Sequence, residues 1–129
     1  MIDQKLQELA LAVIDTEAAA INGLAKEIRE PSFLEACRLM LQCKGRVVVT
    51  GMGKSGHIAG KIAATLASTG TPAFFVHPGE ASHGDLGMIT AADVLLALSN
   101  SGETGEIVTI LPIIKRLDVP LIAMTGNPG

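Results

Sequence analysis

The fold is decided by the segment Val47-Val48-Val49-Thr50-Gly51-Met52-Gly53-Lys54-Ser55-Gly56-His57, in which an apolar run passes into glycines and small polar residues. A short β-branched run that ends at glycine is typical of a buried strand. Similar apolar runs follow at Ala73–Val76, Val94–Leu98 and Leu121–Met124. Runs without polar alternation indicate strands that are buried on both faces, as in a parallel sheet.

Helical stretches follow the first and third of these runs, at roughly 56–69 and 104–117. Alternating strands and helices predict parallel strands joined by right-handed crossovers, with helices on both faces of the sheet. We therefore predict a three-layer α/β fold. Pro112 should kink or break the second of these helices, because proline has no backbone donor.

The region before the first strand is helical in pattern. Apolar residues recur there at helical spacing: Ile2, Leu6, Leu9, Val13, Ala20 and Leu24. They predict one long amphipathic helix over residues 3–29. Pro31 is expected to end this helix, and Ser32 and Glu35 form a Ser-x-x-Glu capping box that predicts a second helix running to about Cys43.

Composition excludes several classes of function. The chain has 129 residues, 48% of them hydrophobic, which suits one domain with its own core. A net charge of −3 and only 2% aromatic residues argue against a nucleic-acid partner. No leader or membrane-spanning segment is evident, so we expect a cytoplasmic protein with no membrane partner. Cys37 and Cys43 lie in a predicted helix and are interpreted as reduced core residues.

Polar residues cluster where the predicted strands end, at 50–57, 99–106 and 125–127. In open parallel sheets, ligands bind beyond the carboxyl ends of the strands, where loops enter helix N-termini. Gly53 and Ser55 follow the first strand. The third strand leads into Ser99-Asn100-Ser101-Gly102-Glu103-Thr104, whose hydroxyls and glycine predict a cup of donors for a phosphate. The alternative is a plain helix cap at Ser101.

The first loop also has features of two other phosphate motifs. Gly51, Gly53 and Gly56 have the complete spacing of the dinucleotide fingerprint, but His77-Pro78-Gly79 stands where an acidic residue is expected after the second strand. The nucleotide P-loop pattern requires glycine at the position of Val48, so that interpretation fails. His57, placed one residue into the helix, is interpreted as structural.

Residues 45–127 resemble the SIS (sugar isomerase) domain family, and within it the arabinose-5-phosphate isomerases. The resemblance is carried by five motifs, at 51–57, 67–72, 74–78, 83–88 and 99–103, reading GMGKSGH, ASTGTP, FFVHP, HGDLGM and SNSGE. It implies a flavodoxin-like parallel sheet. It also implies interconversion of ribulose 5-phosphate and arabinose 5-phosphate, feeding 3-deoxy-manno-octulosonate synthesis for lipopolysaccharide or capsule.

The resemblance also implies roles for single residues. Lys54 and Glu106 fall on catalytic positions, and a second set falls on substrate-contacting positions: Gly70, Thr71, His77 and His83. His77 also matches a position where zinc binds and inhibits. No organic cofactor is implied, and the partner is a second copy of the chain, in a homo-oligomer with shared active sites.

The chemistry fits those roles. Isomerisation through an enediolate needs a base that reaches carbon and a positive group beside the oxygen that gains charge. Glu106, in the first turn of its predicted helix, is a suitable base, and Lys54 is a suitable positive group. Without the resemblance, Glu106 would be interpreted as an acid that only stabilises its helix.

The resemblance implies that the domain continues beyond Gly129, with CBS regulatory modules after it in the common long form. We therefore expect residues 1–129 alone to be an incomplete SIS domain, inactive as an isomerase and prone to associate through its fourth strand. The alternative function is a non-catalytic SIS domain that senses a phosphosugar in a transcriptional regulator. Residues 1–44 carry no basic recognition helix, which disfavours that alternative.

Overall fold

The computed structural model describes residues 1–81 and 84–127. The chain divides into two compact units, Met1–Cys37 and Arg38–Gly129, and each is described by itself.

The N-terminal unit is helical, but the predicted single helix over residues 3–29 is wrong. Helix α1 (Ile2–Gly23) is followed by a separate short helix, α2 (Ala25–Ile28). The break falls at Leu24, whose N–H donates a hydrogen bond to the carbonyl of Ile21 at 3.0 Å. Gly23 precedes the break, and glycine is a poor helix former because it loses the most backbone freedom on folding. No side chain of α1 or α2 is buried.

Helix α3 (Pro31–Leu41) begins two residues earlier than the capping box predicts, because a cap at Ser32 would make Phe33 the first helical residue. Pro31 does not act only as a stop signal, because it occupies the first helical position, where its missing N–H costs nothing. Ser32 is therefore inside the helix and the predicted cap is wrong. Cys37 and Cys43 are free thiols and only half-buried, so their placement in the core is also wrong.

The second unit is built on a four-stranded parallel sheet in the order β2-β1-β3-β4. The strands are β1 (Val47–Gly51), β2 (Ala73–Phe75), β3 (Val94–Leu98) and β4 (Leu121–Met124). Every residue of β1 and β3 is buried, as the unbroken apolar runs predict. The order is that of flavodoxin-like sheets, in which β2 is added on one side of β1, and β3 and β4 are added on the other side.

Helices cover both faces of this sheet, which confirms the three-layer α/β prediction. Helix α4 (Gly53–Ser68) packs on the face carrying Val47 and Val49, and α6 (Gly105–Arg116) packs on the face carrying Val48. The short helix α5 (Pro78–Ala81) and a turn of 3-10 helix (Asp85–Met88) belong to the same layer as α6.

Helix α6 runs through Pro112 to Arg116, so the predicted early break does not occur. Proline at this position leaves the carbonyl of Val108 without its helical donor. Val108 and Pro112 are both exposed, so water can satisfy that carbonyl. The proline is tolerated because it lies on the solvent side of the helix.

A buried carboxylate organises the amino-terminal edge of the sheet. Asp93 accepts hydrogen bonds from the backbone N–H groups of Arg46 at 2.7 Å and Thr90 at 2.8 Å. Gly45 lies against this carboxylate, where any Cβ would collide with Oδ1. These contacts fix the positions at which β1 and β3 begin. They therefore also fix the relative positions of the carboxyl ends of the two strands.

Strand β4 is an edge of the sheet within the described residues, as predicted, and it pairs there with β3. Leu121 and Met124 remain 40% and 52% exposed. Of the helices in residues 1–81 and 84–127, none combines the length and apolar character needed to cross a bilayer.

Candidate phosphosugar site

The turn from β1 into α4 depends on its glycines. Gly53 has φ +56°, a left-handed conformation that favours glycine. Gly51 and Gly56 lie so close together that a Cβ on Gly51 would approach the Ser55 backbone at 2.8 Å, and one on Gly56 would approach the Gly51 carbonyl at 2.7 Å. The glycine spacing that resembles a dinucleotide fingerprint is thus explained by tight strand-to-helix packing.

This turn starts α4 earlier than the sequence predicts. The helix begins at Gly53, so Lys54 and Ser55 lie in its first turn and His57 is its fifth residue. The predicted position of His57, one residue into the helix, is therefore wrong. The first-turn N–H groups of α4 point out of the carboxyl edge of the sheet, where they favour an anion.

The loop that follows β3, residues 99–104 and here called the phosphate loop, is held by its own hydroxyls. Ser99 is 8% exposed, and its Oγ lies 2.7 Å from Oγ1 of Thr104 while accepting the Gly102 N–H at 3.1 Å. Thr104 is the N-cap residue of α6, so Ser101 is not the cap. Ser99 and Thr104 therefore shape the phosphate loop more than they face a ligand.

Asn100, Ser101 and Glu103 are the exposed polar side chains of the phosphate loop. The Oγ of Ser101 accepts the Glu103 N–H at 3.0 Å, which orients the hydroxyl and leaves its proton to donate elsewhere. Gly102 has φ +73°, which turns the chain toward α6. The loop thus presents a hydroxyl and an amide just before the N-terminus of a 12-residue helix.

A cleft of about 310 Å³ lies between the β1 and β3 ends, and we call it the main cleft. Its lining residues are Lys54, Ser55, Ile58, Leu98, Ser99, Asn100, Met124, Thr125 and Gly126. This is the switch point of the sheet, where ligands of open α/β folds bind. Its volume is at the lower end for small-molecule sites, as a small sugar phosphate requires.

A second cleft of about 280 Å³, the histidine cleft, is lined by Gly51, Gly53, Gly56, His57, Phe75 and His77. The structure therefore separates Gly53 and His77 from the residues lining the main cleft. Nδ1 of His77 accepts the Gly79 N–H at 3.1 Å, so Nε2 is the ring nitrogen left for a ligand. His57, interpreted from sequence as structural, is exposed and shares this cleft.

The remaining predicted residues lie at several places. Glu106 is exposed in the first turn of α6, next to the phosphate loop, and does not line the main cleft. Gly70 and Thr71 precede β2 and therefore lie at the amino edge of the sheet, opposite both clefts. His83 lies outside the described residues. The substrate-contacting roles of Gly70, Thr71 and His83 stay predictions.

The described residues do not by themselves form the zinc site implied at His77. Within residues 1–81 and 84–127, no group of three or more histidine, cysteine, aspartate or glutamate side chains could hold a metal ion.

Residues after β4, which the sequence groups with the other polar strand ends but gives no individual role, line the main cleft. Thr125 and Gly126 line the main cleft together with the apolar side chains of Ile58, Leu98 and Met124. The polar composition of residues 125–127 at a strand end was the available signal. The apolar lining could not be predicted from the sequence, because Ile58, Leu98 and Met124 fit the apolar pattern of ordinary core residues.

Comparison with known proteins decides the family, since the SIS domain model matches residues 40–129. The chain belongs to the SIS domain family. Arabinose 5-phosphate isomerase KdsD of Pseudomonas aeruginosa is 66% identical over 119 residues, covering 92% of this chain and 36% of that protein. KdsD of Escherichia coli K12 is 57% identical over 122 residues, covering 95% of this chain and 37% of that protein.

A solved structure, that of c3406 from Escherichia coli CFT073 in complex with arabinose 5-phosphate, matches with a TM-score of 0.88 and 44% identity, covering 98% of this chain and 67% of that chain. The SIS-domain resemblance inferred from the motifs and the flavodoxin-like strand order are thereby confirmed. The chain spans little more than a third of the length of the curated relatives it matches.

Proposed function

We propose that this SIS domain binds a five-carbon sugar phosphate in the main cleft and serves an isomerase that interconverts ribulose 5-phosphate and arabinose 5-phosphate. The observation that carries the proposal is the main cleft itself. There Lys54, in the first turn of α4, faces the same space as Ser99 and Asn100 of the phosphate loop. A cation in the first turn of a helix, facing a polar loop at the carboxyl edge of the sheet, is suited to a phosphorylated substrate of this size.

The proposed reaction moves one proton between adjacent carbons. A base removes one C1 proton of ribulose 5-phosphate, and the electron pair passes to the C2 oxygen, giving an enediolate. The proton of the C1 hydroxyl then passes to the C2 oxygen, and return of a proton to C2 leaves the aldehyde at C1 and a hydroxyl at C2. Glu106 is the proposed base, beside the phosphate loop. Lys54 stabilises the enediolate oxygen, because a fixed cation gains strength as charge develops on that oxygen.

We also propose a pathway, a compartment and an assembly, on the likeness to the KdsD isomerases. The product would feed synthesis of 3-deoxy-manno-octulosonate for lipopolysaccharide or capsule, in the cytoplasm and without an organic cofactor. The active form would be a homo-oligomer with shared active sites. In such an assembly Gly70 and Thr71, at the opposite edge of the sheet, would contact the substrate bound to a neighbouring copy. The inactivity of residues 1–129 alone stays a prediction.

Ser101→Ala tests the phosphate assignment. We expect affinity for arabinose 5-phosphate to fall by about 10- to 100-fold, because the loss of a hydrogen bond to a charged group costs roughly 1.5–3 kcal/mol. Affinity for unphosphorylated arabinose should be unchanged. Isothermal titration with both sugars measures the difference.

Ser68→Ala is the matched control, since Ser68 ends α4 and its hydroxyl bonds the Thr65 carbonyl, far along the helix from the main cleft. If Ser101→Ala lowers the affinity for the phosphorylated and the free sugar equally, the phosphate loop does not bind the phosphate. Preferential binding of NADH by the unmodified protein would instead favour a dinucleotide module.

A further inference from the structure

The segment that follows β4, residues 125–127, is bonded to the phosphate loop, and we call it the TGN segment. The carbonyl of Asn100 accepts the Gly126 N–H at 3.1 Å and the Thr125 hydroxyl at 3.4 Å. The carbonyl of Ser101 accepts Nδ2 of Asn127 at 3.2 Å. Consecutive carbonyls of the phosphate loop are therefore held by one neighbouring segment.

The two segments also approach too closely to admit extra side-chain atoms. A Cβ on Gly126 would lie 2.8 Å from Oδ1 and 3.2 Å from the carbonyl oxygen of Asn100. A Cβ on Gly102 would lie 3.2 Å from both the Asn127 carbonyl and the Thr125 hydroxyl. The hydrogen bonds are thus supported by backbone-to-backbone packing, made possible by one glycine on each segment.

We propose that the TGN segment is a positioning clamp for the phosphate loop, and that the Asn127 side chain is its key group. The inference rests on the proposed function. A carbonyl oxygen facing a phosphate repels it, whereas a peptide N–H attracts it. In a trans peptide the two groups point in opposite directions, so a clamped carbonyl fixes the direction of the N–H that follows it.

Asn127 matters most because of the peptide bond it holds, the one between Ser101 and Gly102. Gly102 has positive φ, and glycine passes between conformations at low cost, so this peptide is the one most easily turned over. With the Ser101 carbonyl bonded to Asn127, the Gly102 N–H donates to Ser99. Without Asn127, the TGN segment no longer holds this peptide, and the loop that carries the Ser101 hydroxyl loses its fixed shape.

The test is Asn127→Ala in the natural full-length protein, with Asn22→Ala on the exposed surface of α1 as the matched control. Loss of one hydrogen bond at an exposed site should lower affinity for arabinose 5-phosphate and for inorganic phosphate by about 3- to 10-fold. Turnover at saturating substrate should change by less than about threefold, because the clamp acts on binding rather than on the reacting carbons. Amide hydrogen exchange at Gly102 and Glu103 should accelerate, and Asn127→Gln should recover part of the affinity.

Gly126→Ala is a second, independent variant. Its Cβ would lie 2.8 Å from Oδ1 and 3.2 Å from the carbonyl oxygen of Asn100, so it pushes the TGN segment away from the phosphate loop. The same loss of phosphate affinity is expected, together with faster amide exchange at Gly102, which direct crowding of the main cleft would not produce. Unchanged affinity in both variants overturns the clamp, and so does faster exchange with unchanged affinity, because loop order would then have no bearing on binding. If the unmodified protein fails to bind arabinose 5-phosphate, the proposed function is wrong. In that case, inorganic phosphate binding and amide exchange still show whether the TGN segment positions the phosphate loop.

Discussion

Glu106→Gln should reduce turnover of ribulose 5-phosphate by about 100- to 10,000-fold, which is the usual contribution of a positioned acid-base group. The amide keeps the shape of the carboxylate and cannot accept the C1 proton, so affinity for arabinose 5-phosphate should stay within about threefold. Steady-state kinetics and direct binding of both sugars, in the natural full-length protein, separate turnover from affinity.

Glu103→Gln is the matched control for this variant. Glu103 is also exposed and lies in the phosphate loop three residues before Glu106, with its N–H bonded to Ser101. It should retain turnover close to that of the unmodified protein. Near-normal turnover in Glu106→Gln would make Glu106 an acid that only stabilises the start of α6.

Lys54→Ala should also lower turnover, by about 100- to 1,000-fold, because a preorganised group at the developing oxyanion typically contributes that much. Some affinity should be lost as well, since Lys54 lines the main cleft and its charge attracts the phosphate. The two effects are separated by measuring kcat, KM and the dissociation constant of arabinose 5-phosphate on the same preparation.

Lys61→Ala, two turns along the exposed side of α4, is the control for loss of a positive charge on this helix. If Lys54→Ala and Lys61→Ala lose the same small amount of activity, Lys54 acts only through the general charge of the surface. A loss of affinity with unchanged turnover would make Lys54 a phosphate ligand and leave the enediolate without its assigned cation.

The strands and the layers of the sheet could be predicted because their signal is local. Val47–Val49 and Val94–Leu98 are short apolar runs bounded by polar turns, and burial on both faces requires no more than that pattern. The N-terminal helices were predicted less well. Gly23 and Pro31 are each compatible with two local structures, and competing backbone hydrogen bonds decide between them.

The edge that carries the candidate site could be predicted, since the carboxyl ends of parallel strands meet at one edge. Its internal arrangement could not. Ser99 and Ser101 are the same residue type two positions apart, yet one is buried in a bond to Thr104 and the other is exposed. Alternation of side-chain direction in a loop has no fixed period, so sequence does not separate a hydroxyl that shapes the loop from one that faces a ligand.

The sequence also did not predict that the predicted site residues would be divided between two clefts. Lys54 and Gly53 are adjacent, but Lys54 lines the main cleft and Gly53 the histidine cleft, because consecutive residues of the first turn of α4 point to different sides. Thr125 and Gly126 were identified as polar residues at a strand end, but their contact with the phosphate loop was not predicted, for a related reason. Their importance comes from the neighbour that strand order gives them, and β3 lies beside β4 only in the folded sheet.

The central claim is tested most directly by following ribulose 5-phosphate in heavy water with the natural full-length protein, using NMR. Proton removal by a base and return from a group in exchange with solvent predicts that arabinose 5-phosphate appears carrying deuterium at C2, and that Glu106→Gln abolishes both product and label. Failure to form arabinose 5-phosphate, or formation at an undiminished rate in Glu106→Gln, would contradict the assignment of this cleft to an enediolate isomerase.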